Sequence, residues 1–166
     1  VVITERILEV PTLHEWFGKL FPDPRGKHVL EIGHVASHVA LELASIGYSV
    51  SAVDLRDYPF HHPTLASFVG DFLKHDFKKK FDAIFSLSTI EHFGFSKRYG
   101  GFDDPNNTQD EDAFKKIGEL LVPGGHAVVT VPYAKAWCPG IWFKVYTRST
   151  VEDKLSMALE IVEKRY

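Results

Sequence analysis

The chain has 166 residues, a formal net charge of -3 and a charged fraction of 25%. That length suits one domain with its own core, and the charge balance offers no basic field for nucleic acid. Cys138 is the only cysteine, which excludes an intramolecular disulfide and a cysteine-based zinc site and suits a reducing compartment.

Residues 1–26 form an N-terminal extension, and residues 11–20 predict a short helix with Leu13, Trp16, Phe17 and Leu20 on one face, ended by Pro22 and Pro24. Residues 28–32 predict a central strand, 37–46 a helix stopped by Gly47, and 48–53 a second strand. Residues 57–63 carry Pro59 and Pro63 and predict a loop, 65–69 a third strand and 81–87 a fourth. Residues 88–108, rich in Gly, Pro and Asn, predict a long loop. Residues 109–121 predict an amphipathic helix that buries Phe114, Ile117, Leu120 and Leu121. Pro123-Gly124-Gly125 predicts a tight turn into a fifth strand at 126–131, followed by an aromatic-rich connection at 133–148. Residues 149–157 predict a helix capped by Ser149 or Thr150, and 159–162 a final strand.

Strands alternating with helices predict a three-layered α/β domain over residues 1–166 with a mostly parallel sheet. No apolar run is long enough to cross a membrane and no signal-peptide pattern opens the chain, so a cytoplasmic protein is expected. The chain opens at Val1 and stops at Tyr166, just after a strand-like run. That stop raises the expectation that a C-terminal element is missing.

Ligands of such sheets gather beyond the carboxyl ends of the strands. Here those ends lie near Gly33, Asp54, Gly70, Ser88 and Tyr133. The segment from Val29 to Asp54 reads as strand, tight turn, helix and second strand ending in a carboxylate. A nucleotide-like cofactor needs such a frame, with Asp54 accepting both ribose hydroxyls about twenty residues beyond the turn. The rival reading of Asp54 is an exposed turn aspartate.

The succession Val29-Leu30-Glu31-Ile32-Gly33, Val53-Asp54, Gly70-Asp71, Phe81-Asp82-Ala83-Ile84 and Leu121-Val122-Pro123-Gly124-Gly125 resembles the class I S-adenosylmethionine-dependent methyltransferases, from about Lys27 onward. Ser88-Thr89-Ile90-Glu91-His92, with Tyr146-Thr147-Arg148-Ser149-Thr150 and Leu159-Glu160-Ile161-Val162, resembles members that modify sugars or other small hydroxylated metabolites. The resemblance implies a Rossmann-like methyltransferase domain lacking part of a C-terminal strand pair. It also implies S-adenosyl-L-methionine as cofactor and a small-molecule or saccharide acceptor methylated on oxygen.

The resemblance further assigns roles. Glu31 would help place the cofactor's amino end, its rival role being a structural carboxylate that receives loop N–H groups. Gly33 opens the turn, but Val35 and Ser37 stand where glycines are usual, and β-branched valine resists positive φ. His34 is placed to touch the cofactor. Leu55 would pack on adenine. Asp71 would bind the adenine amine, with Phe72 as apolar wall; a helix N-cap is the equal alternative for Asp71, and Asp76 the fallback. Ser88 would lie beside the reactive sulfonium. His92 would take the acceptor's proton, supported by Glu91 if the backbone bends, or else would cap the following segment.

Tyr99, Phe102, Tyr133, Trp137, Trp142, Phe143 and Tyr146 would wall the acceptor site, or form a lid packed on itself or on a partner subunit in a homo-oligomer. Arg98 and Lys97 would meet an acceptor phosphate or be surface charges. No metal cluster is evident, His61-His62 being a solvated loop pair. Two other functions remain open at this point: a catalytically degenerate partner or regulatory subunit, and a nicotinamide-dependent oxidoreductase.

Overall fold

The computed structural model describes residues 5–95, 97, 104, 107–135 and 143–165. Strands β1 (His28–Ile32), β2 (Ser49–Asp54), β3 (Leu65–Val69), β4 (Phe81–Leu87) and β5 (Leu121–Thr130) form one sheet in the order β3-β2-β1-β4-β5. Every pairing is parallel. The strand order reverses between β1 and β4, which opens a crevice above their carboxyl ends.

Period-2 alternation sends side chains to two cores. Val29, Ala83, Phe85 and Leu87 face α1 (Arg6–Leu20) and α2 (Val39–Ser45). Leu30, Ile32 and Ile84 face α3 (Gln109–Leu120), with Leu155 of α4 (Arg148–Ser156) beside them, and Phe81 joins this side because the register breaks between it and Ala83. The result is a three-layered α/β fold. Among the described residues no helix is long and apolar enough to cross a membrane.

Four elements depart from the sequence expectation. Helix α1 starts at Arg6 and keeps Pro11 inside it; proline forfeits the hydrogen bond it would donate to Ile7 and crowds that carbonyl, a cost offset by the burial of Leu13 and Phe17. Leu20, expected on the buried face, is exposed. Helix α2 starts late because a 3-10 turn at His34–Ala36 and a left-handed His38 (φ 62°) interrupt the run. The Pro123-Gly124-Gly125 turn is absorbed into β5: Leu121 pairs with Phe81 and His126 with Ala83, and the glycines bulge between them.

The final strand expected at 159–162 is absent. That segment keeps the in–out alternation, Leu159 and Ile161 being half-buried and Glu160 and Val162 exposed, but it joins no ladder. It leaves α3, where Ala158 packs on Gly118, and reaches α1, where Arg165 pairs with Glu15 and lies over Trp16.

Candidate active site

A cleft of about 610 Å³ lies over the carboxyl ends of β1 to β4, within the range of small-ligand sites. Ile32, Gly33 and Ala36 come from β1 and its turn; Val53, Asp54, Leu55 and Arg56 from β2. Gly70, Asp71, Phe72 and Lys74 follow β3, and Ser88, Thr89, His92 and Phe93 follow β4. Arg6 reaches in from α1. The cleft therefore gathers Gly33, Asp54, Leu55, Asp71, Phe72, Ser88 and His92 of the expected set. Glu31, His34 and Glu91 lie outside its wall.

Gly33 adopts φ +82°, and a Cβ there would fall 2.3 Å from the Thr89 side chain. The loops after β1 and β4 meet at this point, which only glycine allows. Gly33→Ala is expected to cost about 2–4 kcal/mol, from left-handed strain plus overpacking. A denaturant melt checks it, and an unchanged midpoint would contradict the contact.

Val35 and His34 leave the hollow open. His34 is fully buried, bonded through Nε2 to Ser67 Oγ at 2.8 Å and packed edge-on against Tyr58. Burial holds its imidazole below the usual pKa. Val35 contributes its backbone N–H to Asp54 Oδ2 at 3.1 Å. His38 bonds Tyr58 through Nδ1.

Glu31 has no exposed surface. Its Oε2 accepts from the Ala40 N–H at 2.7 Å and its Oε1 from the Ser37 hydroxyl. These bonds tie Glu31 to the start of α2. Burial pushes the Glu31 carboxyl up to about 7.

Asp54 is at the cleft wall with both oxygens occupied. Oδ1 accepts from the Arg56 N–H (2.9 Å) and Arg56 Nε (3.0 Å). Oδ2 accepts from Val35 N–H (3.1 Å) and the Arg56 Nη2 (3.0 Å). Burial pushes this carboxyl up, but Arg56 and Val35 outweigh it and hold it below the usual range. Asp71 Oδ1 accepts from Leu73 N–H at 2.9 Å, a turn cap, while Oδ2 faces Lys74 at 3.4 Å. Phe72 is buried among Phe77, Phe93 and the Lys116 ammonium, and Leu55 is half-exposed.

Ser88 sits at φ +44° and donates its hydroxyl to Glu9 Oε1 at 2.6 Å, which ties α1 to the end of β4. The 3-10 turn Ile90–His92 supplies the bend that brings Glu91 Oε1 to 3.9 Å from His92 Nε2. His92 is half-exposed in the cleft and its ring meets Phe143 edge-on. Glu91 is buried, and among the described residues its Oε2 has no hydrogen-bond partner. Burial pushes the Glu91 carboxyl up to about 8, with Glu9 adding to the shift and its own backbone N–H and Arg6 opposing it.

The folded-state pKa of Glu91 lies above its ordinary 4.5. Between those values the folded protein binds more protons than the unfolded chain, so stability falls as pH rises through that window. Glu91→Gln is expected to flatten this fall and to gain on the order of 2 kcal/mol at pH above 8. Thermal melts across pH check it, and parallel curves for the two proteins would contradict it.

The rim is held by Asp110, a fully buried residue at the start of α3. It accepts from Lys144 Nζ (2.6 Å), Tyr146 OH (2.9 Å) and Lys154 Nζ (2.9 Å). The Lys144 N–H in turn donates to the Glu91 carbonyl at 2.9 Å. Tyr146, expected in the acceptor wall, is thus part of this network; Tyr133 and Lys97 are exposed. Arg98, Tyr99, Phe102, Trp137, Cys138 and Trp142 lie outside the described residues. Among the described residues no group of three or more His, Cys, Asp or Glu is placed to hold a metal ion.

Sequence reasoning missed Arg6, Arg56 and Thr89 in the cleft. Arg56 was discoverable, since an arginine two residues beyond a strand-terminal aspartate reaches back to it. Arg6 was not, because its place depends on how α1 crosses the sheet.

No family model matches the chain, and no curated protein matches it. Solved structures do. The [4+2]-cyclase SpnF superposes with a TM-score of 0.63 at 14% identity, covering 89% of this chain and 55% of that one. Phosphoethanolamine N-methyltransferase 2 of Haemonchus contortus, in complex with S-adenosyl-L-methionine, gives 0.64 at 17%, covering 89% and 36%. The amino pentose methyltransferase CalS10 of Micromonospora echinaspora, also bound to S-adenosylmethionine, gives 0.56 at 19%, covering 77% and 51%. The chain spans about half or less of the length of these proteins. With its sheet order, its cleft at the strand reversal and these superpositions, the chain has the fold of the class I S-adenosylmethionine-dependent methyltransferases.

Proposed function

We propose that this domain binds S-adenosyl-L-methionine and transfers its methyl group to a hydroxyl of a small polar metabolite or saccharide. The observation that carries the reading is the placement of Asp54, at the end of β2, in the wall of a cleft bounded by Gly33 and the ends of β1, β3 and β4. The residues present fit such a ligand. Asp54 would accept a ribose diol, Asp71 and Phe72 would offer a polar and an apolar contact for adenine, and Leu55, which also lines the cleft, would pack on the ring.

The cofactor, when bound, supplies an electrophilic methyl carbon on a sulfonium. The protein's task is then mostly alignment of acceptor oxygen, methyl carbon and sulfur. Ser88 and Thr89 border the end of β4, where that alignment takes place. His92 stands at the cleft wall with a half-exposed ring to take the acceptor's proton. Glu91, neutral near pH 7, orients the turn that carries His92. The amino pentose acceptor in CalS10's name supports a small polar acceptor.

Incubation with labelled S-adenosylmethionine and a panel of hydroxylated metabolites and sugars tests the reading. Label transferred to an acceptor oxygen is the expected result. Failure of every acceptor, together with no binding of S-adenosylhomocysteine, would overturn it.

A further inference from the structure

A carboxylate offers about four acceptor positions, two on each oxygen. Asp54 has all four filled from within the chain: two by the backbone N–H groups of Val35 and Arg56, and two by the forked Nε and Nη2 of the Arg56 side chain. The two backbone donors are fixed by the turn geometry. The two side-chain donors fall one on each oxygen, the pattern in which a vicinal diol donates to a carboxylate. Arg56 is 41% exposed at its side chain while Asp54 is 5% exposed, so solvent borders the cation and not the acid.

We propose that the Arg56 guanidinium is an internal competitor for the ribose diol, a gate that must leave Asp54 before an adenosyl ligand seats. This rests on the proposed function, since it takes the diol of that ligand as the displacing group. The closed gate keeps a buried carboxylate paired when no ligand is present, at the cost of affinity when one arrives. Removing the fork while leaving both backbone donors in place leaves one open acceptor on each oxygen.

Calorimetric titration with S-adenosylhomocysteine, on the whole chain and on Arg56→Met, tests the gate. Methionine keeps an apolar stem of similar reach and has no donor. The expected result is that Arg56→Met binds about tenfold or more tightly, while an analogue lacking both ribose hydroxyls gains nothing from the substitution. Binding by Arg56→Met alone would support the gate equally. Equal or weaker binding by the variant, with the unaltered chain binding, would overturn the gate and leave the proposed function standing. No binding by either protein would remove both. Should the variant fail to fold, the Arg56 Nε–H resonance of the unaltered chain decides: it moves on saturation with S-adenosylhomocysteine if the gate opens, and stays put if there is no gate.

Discussion

Asp110→Ala is expected to lose about 3–5 kcal/mol of stability, the largest single-residue loss outside the two hydrophobic cores. The carboxylate is fully buried and holds two ammonium groups and a phenol. Deleting it leaves Lys144 charged and almost fully enclosed, its ammonium bonded, among the described residues, to Asn107 alone. Burial pushes the Asp110 carboxyl up, but Lys144, Lys154 and Tyr146 outweigh it, and its pKa lies below the ordinary 3.8. Its contribution is therefore complete at neutral pH and is lost only as pH falls through the acid range. The melting temperature should drop by roughly 10 °C. The loss should also reach the cleft, because Lys144 holds the Glu91 carbonyl and Phe143 abuts His92. A variant that melts within about 1 °C of the unaltered chain would show that the network contributes little.

His92→Ala is expected to lower turnover by about a hundred- to ten-thousand-fold, the usual contribution of a positioned general base. Affinity for S-adenosylhomocysteine should change by no more than about twofold, since the ring is assigned to the acceptor and not to the cofactor. A split of this kind, with turnover lost and affinity kept, is what separates a proton acceptor from a residue that only shapes the pocket. Unchanged turnover would remove the role. Loss of affinity in the same proportion would move His92 to cofactor binding.

The sheet was readable from the sequence because β1, β2 and β4 are buried on both faces and carry near-continuous apolar runs. Their carboxyl ends, and with them the positions of Gly33, Asp54 and Ser88, followed directly. Where the reading went astray, the deciding interactions are non-local. Residues 159–162 have the alternation of a strand, but a strand also needs a neighbour with a free edge in register. Glu31 is a different case, read from sequence either as a site acid or as a structural carboxylate, because a carboxylate among valine, leucine and isoleucine is costly unless paired. The structure satisfies it from behind, through Ser37 and Ala40. Ser37, which replaces an expected glycine, is thereby explained: its hydroxyl serves the buried acid. Nothing in the sequence singles out Asp110, and only the return of Lys144, Tyr146 and Lys154 from more than thirty positions away makes it central.

The gate and the chemistry both depend on Asp54 receiving an adenosyl ligand. Calorimetric titration of S-adenosylhomocysteine into the unaltered chain and into Asp54→Asn measures that most directly. Saturable binding by the former, weakened about tenfold or more in the latter, is the predicted result. Absence of heat and of any thermal shift at millimolar ligand, or equal affinity in the two proteins, would contradict it.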